Sequence, residues 1–158
     1  MSMRVGHGFD VHPFSDEPDR PLVLGGVVFH GERGLAGHSD ADVVAHACAD
    51  AVLGAAGLGD LGQHFPDTDP RWAGSDSLGL LVEVVRMARD VGWTLTNVDC
   101  TVVAQAPRLG PQREAMQHRL SEAAGAPVTV KATTAEGLGA IGRAEGITAQ
   151  AVALLVAT

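Results

Sequence analysis

The chain has no tyrosine and only six other aromatics, Phe9, Phe14, Phe29, Phe65, Trp72 and Trp93. Packing must rest on Val, Leu and Ala, and a single-stranded nucleic acid would find few platforms for its bases. Basic residues are scarce as well. Eleven Lys and Arg stand against nineteen Asp and Glu, for a formal net charge of -8. The deficit is concentrated in residues 1–70, which carry eleven acids and three bases. A field of that sign opposes DNA and RNA. It leaves room for a small phosphorylated ligand, because bound cations invert the local potential. The two cysteines, Cys48 and Cys100, lack CxxC or metal-site spacing and lie in apolar stretches, so both read as buried free thiols. No uncharged apolar run approaches the ~20 residues of a membrane helix, and no signal-peptide pattern opens the chain. The expectation is a cytoplasmic protein with neither a nucleic-acid nor a membrane partner. Neither a G-x-G-x-x-G fingerprint nor a P-loop occurs, so any nucleotide site must be of another kind.

What is present suffices for a folded core. The 158 residues are 46% apolar, and residues 1–158 read as a single domain. Residues 3–12 form a first strand, in which Gly6 and Gly8 mark a bulge or a close backbone approach. Leu22–Leu24 and Val27–Phe29 flank Gly25-Gly26 as a hairpin. The first helix runs from about Asp40 to Ala56, with Ser39 as N-cap and Gly57 as stop. Residues 60–74, rich in acids, proline and glycine, make an irregular loop. A second helix covers about Asp76–Val91, with Leu78, Leu81, Val82, Val85 and Ala88 as its apolar stripe. Trp93–Gln105 is a long strand, Pro111–Ala124 a third helix, Val128–Ala132 a short strand and Ile147–Val156 the last. Residues 133–145 hold at most a brief helix. This order predicts an α+β fold, a single β-sheet backed by helices. The free sheet face is apolar enough to call for an oligomer.

Asp10 and His12, two apart on an extended segment, point to the same side. His46 lies on the first helix, where alone it would read as a packed histidine. Together the three make a carboxylate and two imidazoles, a set suited to zinc with one position left open, though iron and manganese accept the same ligands. Asp42, four residues before His46, could orient that ring or simply open the helix. His38 and Ser39 at the helix mouth suit phosphate, with an N-cap as the plainer role for Ser39. His7, His30, His64 and His118 lack such partners.

Lys131–Gly137 brings a cation, two hydroxyls and a carboxylate to a strand end. Thr133 and Thr134 could hold a diphosphate and Glu136 a hard divalent cation, or the segment could be a Thr-capped turn. Arg143 could clamp phosphate or pair with an acid. The segment Ala104, Gln105, Ala106, Pro107, Arg108 and Leu109 offers free backbone groups to a base edge. Asp60, Gly62, Phe65 and Asp67 add polar and aromatic groups nearby.

Five blocks in order resemble the bacterial and plastid family of 2-C-methyl-D-erythritol 2,4-cyclodiphosphate synthases, from the non-mevalonate isoprenoid pathway. They are Arg4–His12, His38–His46, Gly59-Asp60 with Phe65–Pro70, Ala104–Pro107, and Lys131–Glu136 with Gly142-Arg143. The resemblance implies a homotrimer with its sheets facing a central axis and active sites between subunits. It also implies a cytidine diphosphate substrate that cyclises with loss of CMP. Asp10, His12 and His46 would hold zinc, or manganese in its place, and Glu136 magnesium or manganese. Substrate contacts would come from Asp10, His12, His38, Ser39, Asp60, Gly62, Phe65, Asp67, Ala104–Leu109, Thr133, Thr134, Glu136 and Arg143. His38 and Thr134 take the catalytic positions. Ala140 stands where many relatives carry a large aromatic beside an apolar axial cavity, and Gln150 where some carry Glu. A metal-dependent nucleotide diphosphate hydrolase, or a non-catalytic zinc-stabilised nucleotide-binding oligomer, would use the same residues.

Overall fold

Two glycines in the first strand decide how the layers meet. In the computed structural model, which describes residues 2–158, β1 (Met3–Pro13) pairs with β6 (Gly146–Ala157) in unbroken antiparallel register, from Met3 opposite Val156 to Pro13 opposite Gly146. The bulge allowed for at Gly6 and Gly8 is therefore absent. The close approach is present instead. Helix α1 (Val43–Ala56) lies directly on the strand, and a Cβ on Gly6 would stand 2.0 Å from Ala51 O, one on Gly8 1.9 Å from Ala47 O. Ala47, Ala51 and Ala55 present the matching small face of the helix. Side chains alternate along a strand, so the residues that follow Gly6 and Gly8 on this face are Asp10 and His12.

The main sheet has the order β1-β6-β4-β5, with β4 (Trp93–Val103) antiparallel to β6 and β5 (Val128–Thr133) parallel to β4. One register shift, between Leu95 and Asn97, interrupts the β4–β6 pairing. Val98, Cys100, Val102, Ala149, Ala151, Ala153 and Leu155 point inward and are buried under α1, α3 (Ser77–Asp90) and α4 (Arg113–Ala124). Both cysteines are free and buried, as their apolar settings predict. The expected α+β architecture, a mixed sheet backed by helices, is present.

It is not a single sheet. The strands β2 (Leu22–Leu24) and β3 (Val27–Phe29) form a separate two-stranded hairpin across Gly25 and Gly26, both at positive φ. With three residues each, they bury Leu22, Leu24 and Phe29 in the core and bring their turn against Met116 and Leu120 of α4 rather than extend an edge of the main sheet. The loop at 60–74 also gains order, as a one-turn helix α2 (Leu61–His64) and a 3-10 turn at Pro70–Trp72. The brief helix expected after Thr133 is α5 (Gly139–Gly142). No helix among the described residues is long and apolar enough to cross a membrane. On the sheet face away from the helices, Met3, Val5, Phe9, Val11 and Val152 are exposed.

Candidate functional site

At the end of β1 the close packing delivers Asp10 and His12 to the first turn of α1, where His46 faces them. Asp10 Oδ2 lies 3.0 Å from His12 Nε2 and 3.1 Å from His46 Nδ1. The three ligand atoms lie within 4.8 Å of one another. His12 Nδ1 is 2.7 Å from Ala36 O. A carbonyl only accepts, so Nδ1 carries the proton and Nε2 is left with a lone pair. His12 Nε2 is buried without a hydrogen-bond partner, its 3.0 Å approach to Asp10 being too poorly aligned to count as one. Burial pushes the Asp10 carboxyl up, but the close approach and charge of the His12 and His46 rings outweigh it and hold the group below its ordinary value of 3.8. His12 is the mirror case. Burial opposes its protonation, and Asp10 overcomes that, raising the ring above 6.5. Acceptors converging on one point call for a proton or a cation between them, and a carboxylate with two imidazoles fits a borderline divalent metal.

The cluster forms one wall of a cavity of about 360 Å³, which His38, Ser39, Gly62, Phe65 and Asp67 also line. Phe65 and Trp72 close another side in an edge-to-face pair, ring centres 4.9 Å apart. Asp60 stays outside the lining. Its carboxylate caps α2 by accepting from Gln63 N at 3.1 Å, while its neighbours Leu61 and Gly62 reach the cavity. The expected N-cap changes too. Ser39 accepts from Ala41 N at 3.2 Å and approaches His46 Nε2 at 3.3 Å, whereas Asp42 caps α1, which begins only at Val43.

That late start also removes the role considered for Asp42 beside His46. Its buried carboxylate accepts from Gly25 N (2.8 Å), Gly26 N (2.7 Å), Val44 N and Ala45 N (both 3.1 Å), tying the hairpin turn to the helix. Complete burial pushes this carboxyl up to about 6, against the pull of those N–H groups. Sequence reasoning missed three residues here. Ser77 contacts His46, Asp40 contacts Ser77, and Arg20 donates to the carbonyls of Leu35, Gly37 and Ser39, fixing the loop that carries His38. Serine before an apolar run signals a helix start, so Ser77 carried no sign of this contact. Nothing local could have revealed the other two.

The second group of predicted residues gathers elsewhere. Ala104, Gln105, Pro107, Arg108 and Leu109 line an open cavity of about 530 Å³ with Ala132, Thr133 and Thr134. Ala106 turns instead, with Pro107, toward a smaller hollow beside Phe14 and Arg33. Glu136 has a positive φ of 52° and accepts from Thr134 Oγ1 at 2.9 Å. Arg143 pairs with Glu145 at 2.8 Å. The cavity beside Asp10, His12 and His46 and this one share no lining residue.

The model of the YgbB family matches residues 3–156. The chain is similar to the bifunctional enzyme IspD/IspF of Anaeromyxobacter dehalogenans, with 58% identity over 155 residues, covering 96% of this chain and 39% of that one. It is 55% identical over 157 residues to 2-C-methyl-D-erythritol 2,4-cyclodiphosphate synthase of Moorella thermoacetica, covering 98% of this chain and 95% of the relative. The chain thus spans well under half of the bifunctional relative and nearly all of the monofunctional one. Among solved structures, the CDP complex of IspF from Plasmodium falciparum superposes with a TM-score of 0.85 at 29% identity, covering 99% of this chain and 97% of that one.

Proposed function

Because the chain belongs to the YgbB family, we propose that it carries out the reaction of the 2-C-methyl-D-erythritol 2,4-cyclodiphosphate synthases it resembles. The substrate is 4-diphosphocytidyl-2-C-methyl-D-erythritol 2-phosphate. Its 2-phosphate oxygen attacks the β-phosphorus of its own diphosphate, the bridging bond to the α-phosphate breaks, and CMP leaves as the cyclic diphosphate closes. The protein is then a phosphorus–oxygen lyase of cytoplasmic isoprenoid synthesis, residues 1–158 forming one such domain.

The observation that carries this reading is the convergence of Asp10 Oδ2, His12 Nε2 and His46 Nδ1 on a cavity wall. Zinc, or manganese in its place, held there would polarise the β-phosphate, and magnesium or manganese at Glu136 would neutralise the diphosphate. The protein's own groups do the rest. His38, whose Nε2 lies 3.3 Å from Asp69 O, and Ser39 would turn their ring, hydroxyl and backbone N–H groups to phosphate, and Thr134 its hydroxyl to the diphosphate. Gly62, Phe65 and Asp67 bound the erythritol, with Asp60 holding the α2 turn from which Gly62 projects. Residues 104–109 and Thr133 hold the cytidine. Arg143 stands ready to exchange Glu145 for phosphate. Holding both phosphates in one pocket supplies the proximity that like-charged groups resist.

Two facts support a homotrimer with active sites at its interfaces. The metal and nucleotide cavities of one chain are lined by disjoint residues, so a substrate spanning both calls for a neighbouring copy. The uncovered sheet face bears Val5, Phe9 and Val11, apolar surface that a shared axis would bury. Light scattering is expected to give about three times the 16.3 kDa chain mass. Phosphorus magnetic resonance of the purified protein with the substrate tests the chemistry. Cyclodiphosphate and CMP are expected, and a linear phosphate formed with uptake of water would replace the synthase by a hydrolase.

A further inference from the structure

Ser77 is fully buried in the first turn of α3, yet its hydroxyl lies between two polar side chains. On one side its Oγ–H donates to Asp40 Oδ1, in a contact reinforced by Ser77 N donating to Asp40 Oδ2 at 3.1 Å. On the other side, Oγ is 2.8 Å from His46 Nε2. A serine has one proton to give, and a carboxylate can only accept. The charge-assisted bond to Asp40 takes that proton, so Oγ meets His46 as an acceptor. Nε2, which Ser39 Oγ also approaches at 3.3 Å, can then serve Ser77 only by donating, while Nδ1, 3.1 Å from Asp10 Oδ2, can serve that carboxylate only by donating as well. A neutral ring has one hydrogen, so the two sides compete for it, and a metal at Nδ1 requires that it sit on Nε2.

Asp40 is itself held in place. It accepts from Asp42 N at 3.1 Å, while its own N–H donates to Ser75 O at 3.2 Å. Ala41, between the two aspartates, has a φ of 56°, a conformation that non-glycine residues adopt only where surroundings impose it. The strained residue separates a carboxylate turned toward α3 from one turned into the α1 cap. The two helices are thereby joined behind His46.

We infer that Ser77, oriented by Asp40, is a positioning residue that fixes His46 in the Nε2–H tautomer and presents Nδ1 to the metal. The relay parallels the Ala36 carbonyl behind His12, but is built from two side chains on separate elements. Without it, the Nδ1–H tautomer, donating to Asp10, would compete and occupy the position the metal needs. The inference rests on the metal reading of Asp10, His12 and His46, and is independent of which reaction that metal serves.

The test uses Ser77→Ala, Asp40→Asn and Ser77→Thr. Asp40→Asn preserves shape, but an amide turned to donate to Ser77 Oγ reverses the relay. Ser77→Thr keeps the hydroxyl. Two quantities are read. One is the His46 tautomer in metal-free, nitrogen-15-labelled protein, at a pH where the ring is neutral. The other is the zinc dissociation constant by chelator competition. The parent is expected to show Nε2–H. Ser77→Ala and Asp40→Asn should shift toward Nδ1–H and bind zinc about 10- to 100-fold more weakly, the usual range for such supporting partners. Ser77→Thr should restore both. An Nδ1–H parent overturns the inference. So does an unchanged tautomer with zinc affinity within about twofold of the parent in both disrupting variants, a loss smaller than this class of contact gives. A parent with Nε2–H but no zinc affinity would defeat the metal reading, and the inference with it.

Discussion

The proposed metal end and the proposed nucleotide end of this chain are built to different standards of completeness. Asp10, His12 and His46 are partly buried, and each ring has its far nitrogen held by a partner in the same chain. The strand and helix that carry them touch backbone to backbone. At the proposed nucleotide end, Thr133, Thr134, Glu136 and Arg143 are exposed and bond mainly to one another and to Glu145. One chain finishes the Asp10, His12 and His46 cluster alone, and leaves the surface from Thr133 to Arg143 open. The difference follows from where each group sits: on the covered face between β1 and α1, or on the loops beyond the ends of β4 and β5.

The largest effect should come from breaking the covered side. Gly8→Ala places a Cβ where Ala47 O stands 1.9 Å away and Ala51 N 2.6 Å. Backbone cannot yield as a side chain would, so strand and helix must separate. A loss of about 3 kcal/mol is expected, roughly 10 °C in the thermal midpoint, accompanied by loss of tightly bound zinc. A midpoint and metal content equal to the parent's would show that this approach does not set the cup. Glu136→Gln sharpens the contrast from the open side. It should lower kcat about 100-fold, the scale of one lost electrostatic group, with zinc stoichiometry intact and the midpoint nearly unmoved. Loss of zinc in this variant would mean that the two ends are not separate.

The same contrast explains what could be read from the chain. Periodicity located the three long helices and the strands of the main sheet, because alternation and 3.6-residue spacing report burial directly. Asp10 and His12 were legible as a pair because a strand puts alternate residues on one face. His46 joined them through the family resemblance as much as through residue type. Asp42 was not legible. Whether it faces His46 or caps the helix turns on where α1 begins, and a shift of three residues decides it. Arg20, Asp40 and Ser77 act across 15 to 37 positions of sequence, and no local pattern encodes such contacts. The hairpin itself was read, but its separation from the main sheet was not, for a related reason. Two three-residue strands announce their own turn, but not which layer they join.

Acid should act on the proposed metal end. His12, raised above 6.5, must lose its proton to bind metal, so apparent zinc affinity should begin to fall above pH 6.5 and weaken further on acidification. Stability of the metal-free protein should run the other way. The raised His12 contributes stability that is complete below 6.5 and is lost as pH rises through its folded value. The lowered Asp10 contributes above 3.8, and that contribution is lost as pH falls through its folded value. Metal-free protein is therefore most favoured by this pair between 3.8 and 6.5. Adding zinc should remove the decline at higher pH. Melting curves across pH, with zinc and with chelator, check this, and parallel curves would contradict it. A smaller effect is expected from Ala41→Gly, which relieves the positive φ of 56°. A gain of at most about 1 kcal/mol is expected, and a marked loss would show that Ala41 is held by its packing rather than strained.

The central claim is that Asp10, His12 and His46 share one metal used in cyclisation, and His12→Ala tests it most directly. The substitution leaves one carboxylate and one imidazole, too few for a firm site with an open position. His118→Ala is the control, since His118 is exposed on α4 and outside the cluster. Elemental analysis of parent and both variants, purified without added metal or chelator, is read beside phosphorus magnetic resonance of the products. The account predicts that His12→Ala loses bound zinc and cyclodiphosphate formation together while keeping the parent's oligomeric state, and that His118→Ala matches the parent. Stoichiometric zinc with normal cyclodiphosphate formation in His12→Ala would contradict it.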